Sequence, residues 1–216
     1  MPMIYNLGEH SEALIGVNLI IGEGLCSNIY IIGEDKATII DTGVGNRANP
    51  IWPQLEELGI EPNNIDKVII THAHHDHAMG VFMILRRAQP KVYIHEKDTK
   101  YIATSLGNSL VKVNQGDIIE TELWPLEVHW TPGHTEGGMS LYSRVNKILF
   151  SGDTVFPDGY YGRYDGESGS YEDIVDSLRK LSNLDVDVLL PGHGSPIFRD
   201  GNKHIELALR KASRWG

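Results

Sequence analysis

A run of seven residues, Thr71-His72-Ala73-His74-His75-Asp76-His77, puts four imidazoles and a carboxylate directly behind the β-branched stretch Lys67 to Ile70. That stretch predicts a short buried strand, and a strand ending in such a run delivers its polar side chains to the rim of a sheet, where catalytic groups commonly sit. Residues two apart on an extended segment point the same way, so His72 and His74 can converge on one ion while Ala73 and His75 point elsewhere. Asp76 and His77 turn toward a second ion at the predicted start of a helix, whose amide dipoles favour the aspartate's negative charge. His134, Asp153 and His193 supply further ligand-capable groups. An all-His/Asp set without thiolate favours zinc, iron, manganese or cobalt in an open, catalytic centre over a structural cysteine site.

The rest of the chain predicts what carries this run. Apolar stretches suited to strands lie at Leu14 to Ile21, Asn28 to Ile32 and Ala37 to Ile40, with Gly33-Glu34-Asp35-Lys36 as a hairpin turn between the last two. Helical spacing occurs over Pro50 to Leu58, Ala78 to Ala88 and Lys97 to Leu106, with a strand at Val92 to Ile94. Short extended segments then recur at Ile118 to Glu120, Glu127 to Trp130, Met139 to Tyr142 and Lys147 to Phe150, separated by Pro, Gly or polar turns. Ser170 is placed to cap a helix running to Leu181, Val186 to Leu190 reads as a strand, and Asn202 to Arg214 closes the chain as a helix. A meander plus helices in each half predicts two sheets stacked face to face with helices outside. No linker, charge block or low-complexity tract divides the 216 residues, so one domain over 1–216 is expected.

Composition narrows the function classes. A formal net charge of −10 argues against a broad phosphate-binding surface, and therefore against nucleic acid as the partner. Cys26 is the single cysteine, which excludes an intrachain disulfide. It precedes a strand with no basic neighbour to lower its pKa, so it reads as a small buried residue. The opening Met1-Pro2-Met3-Ile4-Tyr5 has no basic segment followed by an apolar one, and no stretch is long enough to span a bilayer, which predicts the cytoplasm and no membrane. The chain does not reveal its oligomeric state.

Four motifs together, His72-x-His74-x-Asp76-His77, Thr131-Pro132-Gly133-His134-Thr135, Gly152-Asp153-Thr154 and Pro191-Gly192-His193-Gly194, resemble those of the metallo-β-lactamase superfamily, from about Asn28 to Pro196. The resemblance implies a four-layer αββα sandwich of two mostly antiparallel or mixed sheets with helices outside. It also implies a ligand set, with His72, His74 and His134 on a first metal, Asp76, His77 and His193 on a second, and Asp153 bridging them. Asp41-Thr42-Gly43 matches the family's early Asp motif, which supports the ligand loop rather than touching metal. Two divalent ions, zinc or else iron or manganese, contribute +4 against roughly −3 from Asp76, Asp153 and a bridging hydroxide, leaving about one positive charge. Such a pair can activate a water and polarise the oxygen of the bond under attack. Asp76 can also orient that nucleophile or take its proton.

Asp153 in the bridging position, where true zinc β-lactamases have cysteine, argues against antibiotic hydrolysis. Gly152-Asp153-Thr154-Val155-Phe156 followed by Gly162-Arg163-Tyr164 is similar to the glyoxalase II group, hydrolases of hydroxyacyl-glutathione thioesters. That resemblance implies a small-molecule substrate, an anionic thiol conjugate, held by Arg163 and Tyr164; a guanidinium fork suits a carboxylate. Arg163 is equally placed to pair with Asp165 or Glu167. Only 23 residues follow His193, whereas the larger members carry a helical C-terminal region with further basic contacts. Lys203, Arg210, Lys211 and Arg214 are the available substitutes. The same fold also hosts mononuclear-iron persulfide dioxygenases, whose ligands would correspond to His72, His134 and Asp153, as well as lactonases and phosphodiesterases. His75, His10, His95, His129 and His204 lack partner motifs and are expected to be structural, as are the loop aromatics Tyr160 and Tyr161.

Overall fold

The computed structural model describes residues 3–46 and 50–213. Its larger sheet contains β1 (Ile4–Asn6), β2 (Val17–Ile20), β3 (Ile29–Ile32), β4 (Ala37–Ile40), β5 (Ile65–Ile70), β6 (Lys91–His95) and β7 (Leu110–Val113), neighbours in space as in sequence. Pairing is antiparallel from β1 to β4 and parallel from β4 to β7. The second sheet begins with β8 (Ile118–Ile119), β9 (Leu126–Trp130), β10 (Met139–Ser143) and β11 (Ile148–Gly152). A separate hairpin follows, of β12 (Val155–Phe156) and β13 (Tyr160–Tyr161), before β14 (Val188–Pro191) joins the second sheet parallel to β11, in the order β14-β11-β10-β9-β8. The α-helices are α1 (Ile51–Glu57), α2 (His75–Ala78), α3 (Val81–Leu85), α4 (Thr99–Leu106), α5 (Tyr171–Leu181) and α6 (Gly201–Ala212).

Alternation along the strands sorts the buried side chains into three cores and hence four layers. Tyr30, Ile32, Ile40 and Ile69 of the larger sheet meet Val128, Leu141, Phe150 and Leu190 of the second sheet between the two. Their strand neighbours Ile31, Ile39, Val68 and Val92 point the other way, under Trp52 and Leu55 of α1, Ile84 of α3 and Ile102 of α4. On the far side Tyr142, Leu149 and Leu189 pack beneath Leu178 of α5 and Ile205 and Ala208 of α6. Strands covered on both faces lose the usual polar alternation, which is why β3 is buried throughout its length. This is the expected sandwich of two sheets with helices outside.

Several boundaries differ from the sequence expectation. The strand expected from Leu14 starts at Val17, because Glu12–Leu14 closes as a 3-10 turn and Gly16 follows in the left-handed region at φ 80°. The helix expected over Ala78 to Ala88 is two short helices, because Gly80 gives its N–H to Gly43 O at 2.9 Å rather than to the preceding turn, and it packs so closely on Thr42 that a Cβ would collide with the carbonyl. The strand expected at Val186 begins two residues later; Val186 donates its N–H to Asn202 Oδ1 at 2.5 Å and packs under α6. The final helix begins at Gly201 and ends at Ala212, and Arg214 lies outside the described residues. Strands β1, β7, β12 and β13 have no counterpart in the sequence expectation; each is four residues or shorter.

One consequence of the topology sets up the site. The segments after β4, β5, β9, β11 and β14 begin with Asp41, Thr71, Thr131, Asp153 and Gly192, so all four motifs and Asp41 leave carboxyl ends of strands. No helix among the described residues is long and apolar enough to cross a membrane.

Candidate metal centre

Residues from three of these loops bring nitrogen atoms into one small volume. His74 Nδ1 lies 3.0 Å from His72 Nε2 and 2.9 Å from His134 Nε2. The other ring nitrogens are already engaged. Thr71 Oγ1 donates to Asp41 Oδ2 at 2.8 Å and therefore accepts from His72 Nδ1 at 3.1 Å. His134 Nδ1 donates to the Arg163 carbonyl at 2.7 Å. Both Nε2 atoms thus present lone pairs, and His74 Nδ1 has one proton to offer at most. At least one of these close contacts sets lone pair against lone pair, which a cation relieves.

A second group forms beside the first. His77 Nδ1 is bonded to Asp41 Oδ2 at 2.8 Å, which turns its Nε2 toward His193 Nε2 at 3.2 Å and toward Asp76 Oδ2 at 3.8 Å. His193 Nε2 is also 3.1 Å from Asp76 Oδ2. Asp153 stands between the groups, with Oδ1 3.4 Å from His77 Nε2 and Oδ2 3.5 Å from His134 Nε2 and 3.6 Å from His193 Nε2. Its Oδ1 is buried without a hydrogen-bond partner, which is costly for a carboxylate oxygen unless a cation meets it. Three sets of donors, His72/His74/His134, His72/His77/Asp153 and Asp76/His77/His193, each fall within 4.8 Å and can hold a metal ion. All seven residues expected from the sequence are in them, and His75 is exposed and apart.

The electrostatics point the same way. Burial and the surrounding imidazoles hold His72 well below the ordinary histidine range, and burial followed by His134 lowers His74. Burial also opposes charge on His77, yet the carboxylates of Asp153 and Asp41 lift it well above that range. Against its own burial, Asp153 is drawn down to about 2 by His77, His193 and His134. Burial pushes Asp76 up, but the hydrogen bond from His193 and the charge of His77 bring it below the usual carboxylate range. The cluster therefore gathers ionised carboxylates, His72 and His74 held neutral, and a His77 whose positive charge those carboxylates favour, so it calls for positive charge, and the chemistry of its donors fits divalent metal ions.

Residues that sequence reasoning missed hold these loops in register. Asp98 is fully buried and accepts from Ala73 N at 2.8 Å, Gly137 N at 2.8 Å and Thr135 Oγ1 at 3.0 Å, tying the His72–His74 loop to the one bearing His134. Its place just ahead of α4 suggests a helix cap, but its side chain makes no cap bond and points inward instead. Asn28 Nδ2 donates to Pro191 O at 3.0 Å and Gly194 O at 2.8 Å, and Tyr30 OH to Pro191 O at 2.8 Å, fixing the loop of His193. Gly192 packs so tightly that a Cβ would collide with Asp153 Oδ1 and come within 2.7 Å of His77 Cε1. Gly192→Ala is expected to weaken metal affinity about 10- to 100-fold with the fold retained, as displacement of ligand-supporting groups typically does. Chelator competition measures it, and unchanged affinity would refute the packing argument.

A cleft of about 300 Å³ opens over the cluster, lined by His74, Asp76, His134 and Asp153 with Arg163, Asp165 and Gly166. Arg163 is exposed and pairs with Asp165 through Nε at 3.0 Å and Nη2 at 3.1 Å. Of the two pairings open to it from the sequence, the structure has Asp165. The Tyr164 ring lies against Tyr171 at 5.1 Å, anchoring this loop to α5. Lys203 pairs with Asp200, and Lys211 Nζ donates to Asp158 O at 2.7 Å, so both are engaged within their own surroundings. Cys26 is buried, with its sulfur accepting from Val44 N at 3.4 Å.

Residues 22–193 match the model of the metallo-beta-lactamase superfamily, and the chain belongs to that superfamily. It is 32% identical over 190 residues to a probable metallo-hydrolase of Methanocaldococcus jannaschii, covering 80% of this chain and 90% of the relative. It is 28% identical over 187 residues to a hydroxyacylglutathione hydrolase of Haemophilus influenzae, covering 79% and 85%. An atrochrysone carboxyl ACP thioesterase of Aspergillus fumigatus is 31% identical over 196 residues, covering 87% of this chain and 57% of that protein. Among solved structures, a metallo-beta-lactamase family protein from Thermus thermophilus has the same fold, with a TM-score of 0.74 and 21% identity over 92% of this chain and 80% of that one.

Proposed function

We propose that this protein is a dinuclear metallo-hydrolase that cleaves a thioester or a closely related ester. The observation that carries this reading is the clustering of the His72, His74 and His134 nitrogens at an open cleft whose wall also holds Asp153, with its Oδ1 buried and unpartnered. Relatives named hydroxyacylglutathione hydrolase and ACP thioesterase support the choice of thioester. His72, His74 and His134 would hold one ion, Asp76, His77 and His193 another, and Asp153 would serve both. Divalent ions bound there would lower the pKa of a water and polarise the acyl oxygen; zinc suits the donors best, with iron or manganese as the alternatives.

The chain's own groups do the positioning. Asp41 fixes the tautomer of His77 directly and that of His72 through Thr71, so both present Nε2 to the cleft. The Arg163 carbonyl does the same for His134. Asp76, ionised and half-buried at the cleft wall, takes the proton of the attacking water. Water oxygen bonds to the acyl carbon, the C–S bond breaks, and the thiolate departs without a strong general acid because its pKa is near about 8.5. Arg163, at the rim of the cleft, is assigned to the substrate's thiol arm, and Tyr164, whose ring packs on Tyr171, to holding that loop in place.

The test is a panel of thioester, lactone, phosphodiester and persulfide substrates on metal-replete protein. Turnover should be highest with thioesters. Turnover of the phosphodiester alone, or oxygen uptake with the persulfide on one iron per chain, would overturn the reading.

A further inference from the structure

The charges around the cleft bear on which thiol can enter it. Beyond His74 the cleft continues into a recess walled by Tyr101 and Glu167, and beyond Asp76 into one walled by Glu23 and Leu25. Apart from histidines, the cation lining these recesses among the described residues is Arg163. Asp165 occupies it in a two-pronged contact, at 3.0 and 3.1 Å, the geometry with which a guanidinium would otherwise grip a substrate carboxylate. Lys100, which lies over the Tyr101 ring at 5.1 Å, is likewise engaged, by Glu136 at 3.0 Å. An anionic arm would have to displace Asp165 and then lie beside it, near Glu167 in the recess past His74 or near Glu23 in the recess past Asp76. An uncharged or cationic arm meets neither obstacle, and its methylenes can rest on Tyr101 or on Leu25, which is 85% exposed.

We infer that the site takes acyl thioesters of thiols whose arm carries no negative charge, and that Asp165 sets this preference by occupying the guanidinium of Arg163. The inference rests on the thioesterase reading above. It runs against the anionic conjugate implied by the resemblance to glyoxalase II, because the basic group that would recognise such a conjugate already has an internal partner. The metals would still attract the acyl oxygen of any thioester. Discrimination acts on the arm, at the rim, where each charge is exposed and its effect is modest and sensitive to salt.

The experiment uses metal-replete protein and one acetyl group on three thiols: N-acetylcysteamine (neutral), thiocholine (cationic) and 3-mercaptopropionate (anionic). The anionic ester should show a KM about two- to fivefold above the neutral one at low ionic strength, a gap that narrows in high salt. In Asp165→Asn the ratio of anionic to neutral KM should fall about two- to fivefold, and in Glu167→Gln by less, with kcat following neither change. Asp165 is exposed on a loop, so the substitution leaves the core untouched. A wild-type preference for the anionic arm, or an Asp165→Asn ratio equal to wild type, overturns the inference while leaving thioester hydrolysis standing. No turnover of any of the three overturns the thioesterase reading itself and the inference with it.

Discussion

His134→Ala is expected to lower turnover by more than about a hundredfold and to reduce bound metal, with the fold preserved. Loss of groups that merely support a ligand already costs about 10- to 100-fold, so loss of a direct donor sets a higher floor. The imidazole contributes one of the two nitrogens that lie within 3.0 Å of His74 Nδ1 and also faces Asp153 Oδ2 at 3.5 Å, so its removal opens the first group and loosens the residue between the two. Nothing in the hydrophobic cores depends on it, because it sits on the loop after β9 and donates only to the Arg163 carbonyl. Circular dichroism should therefore match the parent while metal analysis does not. Unchanged metal content and turnover would exclude His134 from the centre.

The second large effect is expected from Asp41→Ala, and it falls on stability as well as metal. Asp41 is buried at φ 57°, a backbone conformation that aspartate tolerates far better than alanine. Its carboxylate accepts from Thr71 N at 2.8 Å, Thr71 Oγ1 at 2.8 Å and His77 Nδ1 at 2.8 Å. Alanine leaves those donors unsatisfied in a dry interior, at about 1–3 kcal/mol for each group left without a partner. A loss of at least about 3 kcal/mol in denaturant unfolding is expected, together with weaker metal binding, because His77 and His72 lose the interactions that set their tautomers. Asp41→Asn separates the two effects: it refills the space but supplies one acceptor oxygen for three donors. It should recover part of the stability and little of the affinity. If Asp41→Ala matched the parent in both respects, the supporting role would be wrong.

What the sequence made legible follows from locality. His72, His74, Asp76 and His77 lie within six residues, on the turn after one strand and the first turn of the helix that follows, so spacing predicts their convergence, and the structure brings His134, Asp153 and His193 to the same place. Strands β3 to β5 are equally plain, because β-branched runs buried on both faces have no other use in a chain of this composition. The supporting groups are hidden for the opposite reason. Asp98 joins loops 25 and 39 residues away, and Asn28 reaches Pro191 across 163 residues, so nothing local distinguishes them from ordinary loop polars. The break between α2 and α3 has the same character: the Gly80 N–H leaves the helix for Gly43 O, far behind it in the chain. The Arg163–Asp165 contact is local, but sequence separation does not choose between Asp165 and Glu167, and that choice decides what the guanidinium has left to offer.

Titration of chelator-stripped protein with zinc, followed by the initial rate of acyl-thioester hydrolysis, shows whether two ions act together in this cleft. Little activity is expected at low loading, then a steep rise and a plateau at about two equivalents per chain, as two-metal sites require. Full activity at one equivalent, with no further rise from the second, would contradict joint action of the two ions.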